Sequence, residues 1–435
     1  MRPLSIWQKI GRFHWLLLTL MMGMAVASVF FVFSATHTSD NPELQRAAYQ
    51  QITWLALGSG VFLFLALTHY ENLVRYGWLI YLGMIFLLIL VLVFGKEVNG
   101  AKSWIRFGSF GIQPAEFCKV AFMCGLAWFM VRQSDHVRKF WFILAVGGLA
   151  LVPMALILGQ PDFGSAAVFL PITFFMLWAS GAKRRFLMIP VFCAVAGVFG
   201  SYWIIYRADW KGTLQDIPRA TQEGVLMAVM LKGQPEETPS VIGSAPAPKP
   251  RPAVPQPPPA EGETASKVVL KTYQLNRIRT FFKPDLDPLG AGWTIRQSLI
   301  AVGSGGLKGK GYLHGDQNIY GFLPKNIAYN DFIFSVIAEE FGFAGGAILI
   351  VCHGLVIICL LRVGGRSRDL AGALFCAGLA GLWFVHFFIN IGMTIKVVPI
   401  TGIPLPLTSY GGTFLVACMA GLGIVQSVWI HRRDF

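Results

Sequence analysis

The chain has 435 residues, 55% of them hydrophobic and only 13% charged, with a formal net charge of +14. A soluble globular chain carries about a quarter charged residues, whereas several apolar stretches here reach about 18–22 residues, enough to cross a ~30 Å hydrocarbon core as helix. The composition excludes a soluble fold and predicts an all-α polytopic membrane protein. Its basic excess reads as a positive-inside pattern with membrane lipids as neighbours, not as a nucleic-acid surface.

The N-terminus, MRPLSIWQKIGRFHW, runs into an apolar segment too long for a signal peptide and without a clean small-residue cleavage site, so it reads as an uncleaved first span. Further spans are predicted at about 52–69, 76–95, 113–131, 139–158, 164–181, 186–206, 335–361, 370–392 and 410–430, which with 14–36 makes about ten transmembrane helices. Arg2, Lys9, Arg12, Arg132, Arg138, Lys139, Lys183, Arg184, Arg185, Arg362, Arg366, Arg368, Arg432 and Arg433 all fall in one set of alternate loops and termini. The other set of short loops holds only Arg46, Lys96, Lys102, Arg106 and Lys396. That asymmetry predicts both termini in the cytoplasm. The organisation is then helices one to seven in 1–206, a large extracytoplasmic loop over 207–334 between the seventh and eighth, and helices eight to ten in 335–435. The middle of the loop, about 233–265, is Pro-rich and reads as an extended or disordered insert. Its flanks at 219–232 and 293–301 mix apolar and polar residues as an interfacial helix would. All seven cysteines lie in apolar stretches and read as packing residues.

Chemistry needs polar groups, and they concentrate in 291–345. The run GSGGLKGKG fails both nucleotide patterns on spacing: with Gly309-Lys310 aligned to a phosphate loop, Ser304 stands at the first glycine and Gly311 at the hydroxyl. It remains either an anion cradle, with Lys308, Lys310 and His314, or a tight turn. Glu116 and Lys119 are three apart on one helix face and can pair, while Asp162 can cap the helix after it or join that pair. Lys102 and Arg106 flank Trp104 and suit a phosphate or lipid headgroup. Asp331, Ser335 and Glu339 recur every four residues. Asp331 reads either as a helix cap or as a general base, and a neighbouring acid such as Glu339 would raise its basicity.

Five stretches together carry a family resemblance: WIRFGSFGIQPAEFCKVAF (104–122), GQPDFGSA (159–166), DPLGAGWTIRQSLIAVGSGGLKGKGYLHG (287–315), NDFIFSVIAEEFG (330–342) and NIGM…PITGIPLPLTSYGG (390–412). In this order they resemble the SEDS family of polytopic bacterial peptidoglycan glycosyltransferases, and the KGKG and GIPLP runs are closer to its elongation branch than to its division branch. The resemblance implies a hexosyltransferase that polymerises lipid II into glycan strands for rod-shape maintenance, with release of undecaprenyl diphosphate. It implies that Asp331 is the catalytic carboxylate and that Glu116, Lys119, Asp162 and Glu339 are polar residues of a central cavity. The implied partners are lipid II, the growing glycan strand and a class B penicillin-binding protein transpeptidase. The chain departs from the family's Leu-Pro-Glu-x-His-Thr-Asp: Leu323-Pro324 is followed by Lys325-Asn326-Ile327-Ala328-Tyr329-Asn330 before Asp331, without the Glu and His.

On that reading Asp331 takes the proton of the acceptor hydroxyl, and Lys308, Lys310, Arg106 and Lys102 face the leaving diphosphate, with a divalent cation (Mg or Mn) as possible assistant. The competing readings are a lipid II flippase, a division-type polymerase, and a scaffold without chemistry that holds a transpeptidase.

Overall fold

The computed structural model describes residues 5–98, 101–107, 110–183, 185, 187–188, 277, 280–283, 287 and 290–432; for 96–98, 101, 102, 106, 107 and 110 this means the backbone. Nearly all of it is helix. A short α1 (Ile6–Gly11) leads into α2 (Trp15–Thr36), α3 (Pro42–Gln45), α4 (Ala47–Leu67), α5 (Tyr70–Arg75) and α6 (Gly77–Phe94). Three short strands follow, then α7 (Pro114–Arg132), α8 (Phe140–Gly159), α9 (Phe163–Ala167) and α10 (Phe169–Ala179). Beyond residue 290 come α11 (Ala291–Ser304), α12 (Asp316–Ile319), α13 (Lys325–Ala328), α14 (Ile333–Gly365), α15 (Leu370–Thr394) and α16 (Gly412–Ile430).

Among the described residues, eight helices are long and apolar enough to span a bilayer: α2, α4, α6, α7, α8, α14, α15 and α16. The shorter apolar run Phe163–Ala179 corresponds to the expected sixth span. The chain is therefore a polytopic helical membrane protein, as its composition predicts. The expected seventh span at 186–206, the flank at 219–232 and the Pro-rich insert at 233–265 lie outside the described residues. The flank at 293–301 is part of α11, which buries Ile295, Ser298 and Ala301.

Burial separates two kinds of helix. Helices α6 and α8 leave most of their apolar surface uncovered by protein, whereas α7, α15 and α16 are largely enclosed. Where the exposed α6 crosses the enclosed α7, Gly77 and Gly125 meet so closely that a Cβ on Gly77 would lie 2.4 Å from the Cys124 carbonyl. Small residues at such crossings let helix backbones approach where lipid gives no hydrophobic push. Inside α8, Pro153 has no N–H to donate to the Leu149 carbonyl one turn back. The Tyr81 hydroxyl of α6 donates to that carbonyl instead, at 2.8 Å, as buried backbone acceptors require.

At one end of the bundle the turns are basic. There Asp369 caps α15 through the Gly372 amide and accepts the Tyr70 hydroxyl at 2.8 Å, and Ser427 of α16 ties the Tyr70 amide to the Thr68 carbonyl. At the opposite end lie the polar segments singled out in the sequence. The strands β1 (Lys96–Val98), β2 (Ala101–Phe107) and β3 (Phe110–Ile112) form an antiparallel meander there, with Lys102 opposite Glu97 and Arg106 opposite Gly111. The sequence reading places no strands in this loop.

One structural element at that end is unexpected. Helix α14 is broken at Gly342, whose φ of 66° and ψ of −163° are not helical. The break strips backbone groups of their helical partners. The loop of 306–311 satisfies them: the Lys310 and Gly311 amides donate to the Glu339 and Glu340 carbonyls, and the Phe343 and Ala344 amides donate to the Gly306 and Leu307 carbonyls. A Cβ on Gly342 would lie 2.3 Å from the Gly309 nitrogen, so glycine is required there for space as well as for φ. The Gly-rich run thus folds as a tight turn packed against the break. Its Lys310 and Gly311 amides are spent on a helix break, and no backbone cradle for an anion is left at those positions.

Candidate active site

Asp331 precedes α14 and does not cap it. The N-cap position is Phe332 and no side chain caps the helix there. The carboxylate instead turns toward the loop of 400–406. A Cβ on Gly402 would lie 3.4 Å from Asp331 Oδ2 and 3.8 Å from an Arg277 guanidinium nitrogen, so both side chains reach this glycine, whose positive φ is what disfavours a side chain there. Arg277 itself donates to the Ile400 carbonyl at 3.4 Å. The other carboxylate oxygen, Oδ1, is buried without a protein partner. Burial pushes the Asp331 carboxyl up to about 6, with Arg277 pulling it down and the Asp162 charge pushing it up. The acid that raises its basicity is thus Asp162 and not Glu339.

Backbone contacts fix this arrangement. Asn390 of α15 donates to the Asp331 carbonyl at 3.0 Å and the Ile403 carbonyl at 2.8 Å. Ser409 donates to the Asn330 carbonyl at 2.6 Å while accepting the Leu405 amide at 2.8 Å. The Tyr410 amide donates to the Tyr329 carbonyl at 3.0 Å.

Beneath the loop lies a buried ionic network. Lys119 contacts both carboxylate oxygens of Glu116 at 2.9 and 2.8 Å, and the two side chains are almost fully enclosed. Lys119 also lies 3.4 Å from His386 Nε2, and His386 Nδ1 lies 3.0 Å from the Pro404 carbonyl. An ammonium can only donate, so Nε2 is the acceptor and Nδ1 carries the proton that Pro404 receives. The Phe414 ring stacks on His386 and faces the Lys119 ammonium at 5.5 Å. Asp162 caps α9 through the Ser165 amide at 3.0 Å and accepts the Gln113 side-chain amide at 2.9 Å. It joins the Glu116 network through Ser165, whose hydroxyl stands 3.5 Å from Glu116. Glu116, Lys119 and Asp162 therefore come together, as their grouping in the sequence anticipates.

Glu339 does not belong to this network. Its Oε1 accepts Lys310 at 2.6 Å and the Gln317 amide at 3.1 Å. Lys310 also pairs with Asp316 at 2.9 Å. Burial works against the Lys310 charge, but its hydrogen bonds to Glu339 and Asp316 hold its pKa above the ordinary lysine range. Of the expected diphosphate-binding cations, Lys310 is thus committed to a structural ion pair, and Lys308 is exposed on the same turn. Lys102 and Arg106 sit on β2, with side chains outside the description. The apparent stripe of Asp331, Ser335 and Glu339 disperses: Ser335 meets Ser298 of α11 at 2.7 Å, while the flanking acids face Gly402 and Lys310.

Sequence reasoning missed Arg277, His386, Asn390 and Gly402 as parts of the site. A signal existed for two of them. His386 and Asn390 are polar, four apart, and inside an otherwise apolar 25-residue helix, where buried polar groups persist only with partners.

Fold and site together define a polytopic membrane protein with a perturbed carboxylate over a buried ionic network at one end of a helical bundle. The family model described as "Cell cycle protein", covering FtsW, RodA and SpoVE, matches residues 12–217 and 263–434, and the chain belongs to that family. It is 36% identical over 431 residues to the peptidoglycan glycosyltransferase RodA of Treponema pallidum, covering 96% of this chain and 98% of the relative. It is 31% identical to the peptidoglycan glycosyltransferase MrdB of Escherichia coli K12, covering 99% and 96% of the two chains. Among solved structures, a chain of a peptidoglycan synthase complex described as coordinating polymerization and crosslinking matches with a TM-score of 0.67 and 26% identity, over 97% of this chain and 99% of that one. The rod shape determining protein RodA of Thermus thermophilus shares the fold, with a TM-score of 0.60 at 24% identity over 97% and 98% of the chains.

Proposed function

We propose that this protein is a peptidoglycan glycosyltransferase that polymerises lipid II into glycan strands during cell elongation. The observation that carries the reading is the Asp331 carboxylate, with one oxygen beside Gly402 and the other buried and unpartnered. A sugar hydroxyl is a weak acid and needs a base held against it. Oδ1 offers a desolvated acceptor for that proton, and a carboxyl raised to about 6 is ionised at neutral pH yet more basic than an ordinary Asp. The acceptor oxygen then attacks the anomeric carbon of the donor, and the undecaprenyl diphosphate leaves. Arg277, close to Asp331 and unnamed in the sequence reading, is a nearer source of positive charge for that leaving group than Lys310. Lys308, Lys102 and Arg106 remain candidates for the diphosphate. The Glu116–Lys119–His386 network supports the 400–406 loop from below through Pro404.

A divalent cation would supply charge neutralisation at the diphosphate. Among the described residues, no group of three or more His, Cys, Asp or Glu side chains comes together to hold one. The likeness to a chain of a synthase complex supports a class B penicillin-binding protein as partner. The basic turns at the end opposite the site support a bacterial inner-membrane protein with both termini in the cytoplasm, about ten spans and an outward-facing site. The test is polymerisation by the purified protein from lipid II supplied in detergent. Glycan chains from the wild type and none from Asp331→Asn are expected. A flippase or a scaffold would make no glycan in detergent, and an Asp331→Asn protein of normal activity would remove Asp331 from the mechanism.

A further inference from the structure

We propose that Asn390 is a positioning residue for Asp331, a single side-chain amide that fixes the acid-bearing segment relative to the loop it faces. The inference rests on the catalytic reading of Asp331 above. Asn390 lies in α15 with no solvent exposure, and a buried amide is costly unless its hydrogens are used. Both are: the side-chain nitrogen reaches the carbonyls of Asp331 at 3.0 Å and Ile403 at 2.8 Å. Two carbonyls can only accept, so the NH2 and not the oxygen must face them. Chemistry thereby fixes the orientation of the amide.

The two carbonyls belong to segments about 70 residues apart in sequence, and they bracket the contact that matters. Ile403 is bonded to Gly402, the loop residue that lies beside Asp331 Oδ2. The amide therefore sets the distance between the acid and the loop without touching substrate. One turn earlier on the same helix, His386 holds the next carbonyl of that loop, Pro404, at 3.0 Å. Losing Asn390 frees one part-buried and one buried carbonyl, which must then move to find water or other donors. A shift of about 1 Å in a base costs on the order of 100-fold in rate.

The test compares Asn390→Ala with Trp383→Phe, a variant on the same helix that removes the Nε1–His353 hydrogen bond of 3.1 Å away from Asp331. Initial rates of glycan formation from purified lipid II are measured as kcat and KM across pH, with thermal stability in detergent for both variants. The charged and titratable groups facing Asp331 are Arg277, Asp162 and Tyr329, and none is altered in either variant. Asn390→Ala is expected to lose roughly 10- to 100-fold in kcat with KM within about threefold of wild type. Its acid limb should move below the wild-type position, because a loosened segment lets water reach the carboxylate. Trp383→Phe, even at equal loss of thermal stability, should keep kcat within about twofold and its limb in place. Equal kcat losses in the two variants, a loss carried by KM, or an unmoved acid limb in Asn390→Ala each overturn the proposal. Asn390→Ser carries the same comparison if the alanine protein does not accumulate. Asp331→Asn is run alongside. Polymerisation by that variant defeats the catalytic reading itself, whereas an inactive Asp331→Asn with an unremarkable Asn390→Ala defeats only the positioning role.

Discussion

Replacing Asp331 by Asn keeps the side-chain volume and removes the charge, and two opposite effects follow from the site. Folding raises the carboxyl from 3.8 to about 6, chiefly by burial. A gap of that size corresponds to about 3 kcal/mol at about 1.4 kcal/mol per pH unit. An unfolded chain releases this proton above about pH 4 and the folded protein above about pH 6. Between those limits the folded state binds more protons, so stability falls as pH rises, and the full penalty is present at neutral pH. The Asn variant lacks the titration. It should be more stable than wild type by up to about 3 kcal/mol near pH 7.5, with the advantage vanishing as pH falls below about 4. The same substitution removes the general base and should lower polymerisation by roughly 10²- to 10⁴-fold. The assay pairs thermal unfolding in detergent across pH with glycan synthesis from purified lipid II. A variant less stable than wild type at every pH refutes the buried-charge argument. A fully active variant refutes the catalytic one.

Four further outcomes are expected. The wild-type rate at saturating lipid II should rise with pH through an apparent pKa near 6 as Asp331 ionises; a flat acid limb down to pH 5 would contradict this. Glu116→Gln should cost about 3–5 kcal/mol, since it leaves the Lys119 ammonium buried and unpaired; Glu116→Gln with Lys119→Met should recover much of it, and a double-mutant cycle with no coupling would show the pair to be unimportant. Gly342→Ala forces a Cβ to within 2.3 Å of the Gly309 nitrogen at a positive φ, so it should detach the 306–311 loop and lower the unfolding temperature, read by melting and limited proteolysis. Lys310→Met should reduce stability by breaking the Glu339 and Asp316 pairs, whereas Lys308→Met on the exposed turn should leave stability unchanged and move only KM for lipid II.

Spans, basic turns and motif order are legible in the chain because each is a property of a contiguous segment. Hydropathy over about 20 residues decides whether a helix can sit in hydrocarbon, and it does so for α2 or α14 without reference to any neighbour. The Glu116–Lys119 pair is legible for the same reason, since a spacing of three puts both on one helical face. Asp331 stands out as a charged residue at the edge of a span, although the choice between cap and base stays open at that level.

The remaining decisions are tertiary. Asp331 becomes a perturbed carboxylate chiefly because the fold buries it, with Arg277 and Asp162 setting its field, while Asn390 grips its backbone; sequence separations of tens to hundreds of residues hide all three partners. Lys310 is held in ion pairs with Glu339 and Asp316, and Glu339 pairs with Lys310 instead of joining the Glu116 network. The glycines of 303–311 declare their purpose only when α14 is seen to break at Gly342 and to need donors and acceptors from outside itself. Apolar character is additive along a chain and so can be read from it. The environment of a single polar atom depends on which distant groups fold against it, and only the packed bundle decides that.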